Sequence, residues 1–204
     1  MDEAQSSQVE IRRLWPSDKE SFRDHLLRLD PRSRHERFAG GMSDDFLAQY
    51  AENCFGKGDL IYGAFVDGKM IGAAELRSNK AIWSEQAPFG RNIHAEAAFS
   101  VEDGYRRRGI GEKLFKRIRR AATNHGVETI EIVCLPDNIG MHSLAKKFKT
   151  QFTFEESALT GRLTARRPTA FSLMREASGD AFDFGAALFD AHWRAVAEAR
   201  EKSA

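Results

Sequence analysis

The chain has 204 residues and a formal net charge of +1, long enough for one domain with a full core and too neutral overall to mark a nucleic-acid or anionic-membrane binder. Hydrophobic residues make up 42% and charged residues 30%, as in a soluble globular protein, and no run approaches the roughly 18 apolar residues of a membrane span. Two cysteines, Cys54 and Cys134, are too few for a disulfide framework and suit a reducing, cytoplasmic setting, and the polar start carries no apolar signal core.

Residues 1–8 read as a loose tail. Val9, Ile11 and Leu14 make a short first strand. Ser17 and Glu20 form a capping-box pattern, opening a helix through Phe22, Leu26, Leu27 and Leu29 that Asp30–Pro31 breaks. Residues 29–38 follow as a very basic connector, Leu-Asp-Pro-Arg-Ser-Arg-His-Glu-Arg-Phe. Gly40–Gly41 turns the chain, and Ser43 caps a second helix carrying Phe46, Leu47, Tyr50 and Phe55. Residues 56–59 form a loop. Residues 60–66 and 69–76 read as two strands joined at Asp67–Gly68, a strong hairpin signal. The stretch 78–91 is irregular, with Trp83 and Phe89 turned inward.

Ala95, Ala97, Phe99 and Val101 then alternate as in a half-buried strand. Beyond Gly109 the period changes: Ile110, Leu114, Phe115, Ile118, Ala121 and Ala122 fall on one helical face, and Gly126 suits the helix stop. The joint is Arg106-Arg107-Arg108-Gly109-Ile110-Gly111. A helix start leaves backbone N–H groups unpaired and carries partial positive charge. Two glycines open the backbone to a ligand, and three arginines add phosphate-binding charge. Together these describe a pyrophosphate cradle; the alternative is a surface loop with solvated arginines. No Walker Lys-Ser/Thr follows, and the third glycine of a dinucleotide fingerprint is missing.

Arg106-x-x-Gly109-x-Gly111 after Phe99-Ser100-Val101 resembles the acetyl-CoA-binding motif of the GNAT N-acetyltransferases. The resemblance, over about residues 9–165, implies a GNAT fold of the α/β (α+β) class: a mixed, mostly antiparallel sheet splayed at its central strand, with helices on both faces. It implies acetyl-CoA as cosubstrate, its pyrophosphate on Arg106, Arg107, Arg108, Gly109, Ile110 and Gly111, and its pantetheine arm along Phe99, Ser100 and Val101. Residues 129–135 read as the next strand. Pro136-Asp137-Asn138 leads into a helix through Leu144 and Phe148, and Asn138 matches the family asparagine that helps hold the CoA arm. Residues 152–155 and 159–165 read as two final strands, ended by Arg166-Arg167-Pro168. From about residue 180, Phe184, Ala187, Leu188, Ala191 and Ala195 line one face of a further helix. The expected division is a GNAT domain over 9–170 and a helical extension over 171–204 packed on it, with pairing into a homodimer as the alternative.

Acetyl transfer requires an amine freed of its proton. Glu96 lies on the central strand opposite the apolar face, and a partly dehydrated carboxylate has the raised pKa that a general base needs. Its setting, Ala95-Glu96-Ala97-Ala98-Phe99-Ser100-Val101, resembles that of bacterial protein lysine acetyltransferases, as does the segment 29–38. That resemblance implies catalysis by Glu96, substrate contacts at Arg34, Arg37 and Phe38, and a protein lysine as preferred acceptor. A small-molecule amine and a non-catalytic acyl-CoA sensor are the alternatives. Ala145 occupies the position of the usual family tyrosine, which leaves the general acid unassigned. No metal-ligand spacing appears among the histidines and cysteines.

Overall fold

The computed structural model describes residues 8–55, 59–78, 93–155, 158–164 and 168–201; residues 56–58 of the expected loop 56–59, Trp83 and Phe89, and Arg166–Arg167 lie outside them. Seven strands form one sheet: β1 (Glu10–Arg13), β2 (Leu60–Val66), β3 (Lys69–Arg77), β4 (His94–Val101), β5 (Thr129–Cys134), β6 (Gln151–Glu155) and β7 (Ala158–Thr164). Their order is β1-β2-β3-β4-β5-β7-β6, antiparallel throughout except between β4 and β5.

Strand alternation builds two cores. On β2, Leu60, Tyr62 and Ala64 face α4 (Ile110–Asn124), where Leu114, Phe115 and Ile118 are buried. Ile61 and Phe65 face α1 (Lys19–Leu27) and α3 (Asp44–Asn53), against Phe22, Leu26, Leu47 and Ala51. Gly63 sits where a Cβ would come within 2.7 Å of Leu14 and Phe65, so any other residue there would have to push those side chains aside. Asp67 and Gly68 both take positive φ in the tight hairpin. α5 (Ile139–Lys147) closes the α4 side, where Phe148 stacks on Phe115 at 4.0 Å between centroids and Phe115 on Phe99 at 5.4 Å.

Three local expectations are corrected. First, Asp18, not Ser17 with Glu20, organises the first helix. Its carboxylate accepts the Trp15 N–H (3.0 Å) and both terminal nitrogens of buried Arg12 (2.8 and 2.9 Å), while Ser17 Oγ is buried with no partner among the described residues. The chain enters α1 through a 3-10 turn, Pro16–Asp18. Second, residues 29–38 are not a connector. Pro31 occupies the first turn of a separate helix, α2 (Pro31–Phe38), capped by Asp30 accepting the Ser33 N–H at 3.0 Å. Third, the last helix, α6 (Ala170–Glu201), begins well before residue 180. Of the face expected to pack, Ala187 is buried but Phe184 and Leu188 are exposed. Polar side chains hold α6 to the body instead. Glu176 meets the Tyr62 hydroxyl and Arg120, both at 3.0 Å. Asp183 meets Arg117 at 2.6 Å and the Arg13 N–H at 2.7 Å.

His25 of α1 is fully buried between Ser100 Oγ (Nε2, 2.9 Å) and Glu102 (Nδ1, 3.1 Å). Burial holds its pKa below the ordinary 6.5 despite the Glu102 carboxylate. The unfolded chain therefore binds the proton first as the pH falls, so this stability is full above about pH 6.5 and is lost below it. His125, also lowered by burial, to about 4, acts in the same direction. The unfolding free energy, and the melting temperature with it, should fall between about pH 7 and pH 5, the free energy by up to about 1.4 kcal/mol per pH unit per histidine. A His25→Gln chain should be less stable and show a shallower decline. Thermal unfolding followed by circular dichroism checks this, and a decline as steep in His25→Gln as in wild type would remove His25 from the account.

Candidate active site

The parallel pairing of β4 and β5 lasts three rungs: His94 opposite Thr129, Ala95 opposite Ile130 and Glu96 opposite Glu131. Past Glu96 the strands part, and a cleft opens whose walls include Glu36, Arg37, Glu96, Phe99, Cys134 and Asn138. Glu102 donates its N–H to Ile71 of β3 at 3.0 Å. By alternation, the backbone groups of Ala97, Phe99 and Val101 point away from β3, into the gap. The Phe99 N–H and C=O and the Val101 N–H lie past the last bridge and suit an extended amide-bearing arm, while Val101 O accepts from Arg106 at 3.2 Å. Ser100 is placed differently. Its backbone faces β3 and its hydroxyl meets His25, so of the three residues read as holding the pantetheine arm, Phe99 and Val101 face the gap.

At the far end of β4 the arginine loop turns into α4. Gly109 caps that helix with φ of 77°, and Arg107 has φ of 60°. The first helical bond runs from the Lys113 N–H to Gly109 O (3.1 Å), which leaves the N–H groups of Ile110, Gly111 and Glu112 outside the ladder. Gly109 has open space where a Cβ would stand, so the loop backbone can meet a phosphate closely. Arg107 and Arg108 are exposed, the latter over the Tyr105 ring. Arg106 is turned elsewhere: it bonds Val101 O (3.2 Å), Ser33 Oγ (2.7 Å) and Glu36 (3.1 Å). It clamps the loop to the start of α2. Asn138 accepts the Met141 N–H at 2.9 Å and so caps α5 at the cleft's edge.

Glu96 stands at the last paired rung, exposed. The described residues do not supply the partial dehydration expected for it. Arg77 is its register partner on β3, so the two side chains leave the same face. Beside them lies a cluster the sequence reading missed. Buried Glu75 binds Arg37 (2.6 Å), the Tyr50 hydroxyl (2.9 Å) and Arg77 (2.9 Å). Burial works to raise the Glu75 pKa, but Arg37 and Arg77 overcome it and hold it below the ordinary value. Burial and the Glu75 charge raise Tyr50 and push the Cys54 thiol up to about 12, so both stay protonated at neutral pH. The signal in the sequence was a lone glutamate in the apolar run 60–76. Arg34 is spent on the carbonyls of Leu27 (2.6 Å) and Leu29 (2.9 Å) and on Asp44 (2.6 Å). Phe38 packs edge-on against Phe46 and Tyr50. Of the three basic-segment candidates, Arg37 alone lines the cleft.

A model of the acetyltransferase (GNAT) family matches residues 19–149. The chain belongs to the GNAT acetyltransferase family. Solved structures with the same fold include the GNAT domain of S. lividans PAT, 19% identical, with a TM-score of 0.65 over 76% of this chain and 90% of that one. The ribosomal-protein-S18-alanine N-acetyltransferase of Escherichia coli is 16% identical, with a TM-score of 0.58 over 80% and 97%. The aminoglycoside N-acetyltransferase AAC(6')-Iy, solved with CoA, is 19% identical, with a TM-score of 0.53 over 82% and 99%. No curated protein matches the sequence. GNAT acetyltransferases use acetyl-CoA, and the open gap, the free helix-start amides and the uncovered Gly109 fit that group in this chain.

If the loop holds pyrophosphate, Gly109→Val should weaken CoA binding by about tenfold or more, because a β-branched residue is strained at positive φ. Calorimetric titration of a chain shown folded by circular dichroism checks it; unchanged affinity would refute the cradle.

Proposed function

We propose that this GNAT enzyme transfers the acetyl group of acetyl-CoA to a primary amine, with a protein lysine as preferred acceptor, by direct attack with Glu96 as general base. The observation that carries this reading is the place of Glu96, at the rung where β4 and β5 separate. A thioester bound along Phe99 brings an acyl group into that gap. Glu36 in the same cleft wall is paired with Arg32 and Arg106, and Glu131 with Arg162, so the attraction for an ammonium falls to Glu96. Glu96 takes the ammonium proton, the freed nitrogen forms the C–N bond as the C–S bond breaks, and the nitrogen's second proton passes to water. Ala145 is fully buried, so no side chain at that position can protonate the thiolate, and water supplies the proton. Arg37 is the candidate acceptor contact, held by Glu75 and Tyr50. The exposure of Glu96 supports a protein acceptor, since a long lysine side chain can reach it from outside.

Glu96→Gln should lower turnover by roughly a hundredfold or more at neutral pH, with CoA affinity close to wild type. Acetyl-CoA turnover on lysine peptides and on a panel of small amines, measured side by side, checks both parts. Full activity of Glu96→Gln removes it as base. Turnover on small amines alone overturns the protein acceptor, and CoA binding without any turnover supports an acyl-CoA sensor.

A further inference from the structure

α6 is amphipathic in the opposite sense to a helix of a self-contained domain. The side turned to the body is polar: Glu176 and Asp183 are buried in ion pairs with Arg120 and Arg117, Asp190 meets Arg12 at 2.9 Å, and Arg194 donates to Ser17 O at 2.8 Å. The side turned to solvent is apolar. Phe171, Met174, Phe182, Phe189 and Trp193 recur at helical spacing and are 72%, 71%, 73%, 66% and 61% exposed. At about 200 Å² for each aromatic side chain, the four rings alone expose on the order of 500 Å². With Met174 and the small residues between them, the stripe approaches the ~800 Å² that each partner buries in a stable complex. Single monomers seldom leave so large an apolar patch in water.

We propose that this stripe is the interface of a homodimer, two α6 helices packing antiparallel about a two-fold axis at Phe182. Three observations select a second copy. First, the stripe is self-complementary, as a two-fold interface must be. Phe171 and Trp193 stand equally far from Phe182 along the chain, and so do Ser178 and Ala186. An antiparallel pair centred on Phe182 therefore sets ring against ring at both ends, Phe189 against the Arg175 guanidinium as a cation–π pair, and small against small beside the axis. Second, room for a helix exists there: a Cβ at Gly185 would meet nothing within 4 Å. Third, the charge is wrong for a lipid surface. α6 has six acidic residues against three arginines and no lysine, whereas helices that lie on anionic membranes carry a basic polar face. A helix of 32 residues is about 48 Å long, enough to carry the contact without help from the sheet.

Sedimentation velocity of the full chain should give twice the 23.0 kDa chain mass. Phe182→Asp should raise the dimer dissociation constant by roughly thirtyfold or more while leaving the circular dichroism spectrum unchanged. Phe182→Cys, on the axis, should form a disulfide-linked dimer under mild oxidant, and Ala177→Cys, off the stripe, should not. A wild-type monomer at tens of micromolar would overturn the proposal, as would a dimer untouched by Phe182→Asp. Co-sedimentation of a monomeric wild-type chain with phosphatidylserine vesicles would also overturn it, in favour of a membrane surface.

Discussion

The brevity of the β4–β5 pairing sets the whole site. Three rungs hold two parallel strands together, and the backbone of β4 then runs on without a neighbour on that side. Unpaired backbone groups inside a fold are costly unless something meets them. The gap is stable because β4 stays fully paired to β3 along its other edge and because Phe99, Phe115 and Phe148 stack beneath it. The gap leaves the place of a missing strand open to an extended ligand, and the helix-start amides of α4 lie at the end of the same channel. Glu96 is the last residue before the strands part.

Polar networks on the α1–α3 side fix the walls of the channel. Arg106 ties the anion loop to α2 through Ser33 and Glu36. His25 and Arg28 hold Glu102 at the end of β4. Arg37, Tyr50 and Arg77 surround Glu75 beside Glu96. Buried ion pairs add little net stability, because desolvation offsets their attraction. What they supply is direction: each side chain has one geometry in which its donors and acceptors are all met. The basic segment 29–38 is therefore mostly scaffold. Its Arg34 closes off the carbonyls at the end of α1, and Glu36 and Arg37 reach the cleft.

α6 shows the same division of labour turned outward. Its acidic face is matched to Arg12, Arg13, Arg117 and Arg120 of the body. That matching fixes the rotation of the helix about its axis, and so determines that its rings point to solvent.

The sequence by itself determined the elements whose signals are local. The Asp67–Gly68 hairpin, the alternation of β4, the single apolar stripe of α4 and the Arg106–Gly111 joint each depend on contacts within a few residues, and each was legible there. The family followed, because the anion loop is a local motif. What only the tertiary structure decided were matters of partnership across long separations. A buried glutamate looks the same in sequence whether it catalyses or anchors, and Glu75 declared its role only when Arg37 and Tyr50 closed on it from two helices. Asp18 outcompeted the Ser17–Glu20 cap because Arg12, on a neighbouring strand, could meet both its oxygens. Hydrophobic periodicity places a stripe on a helix but not the direction it faces. For α6 that direction was set by ion pairs with distant residues, which local sequence cannot encode.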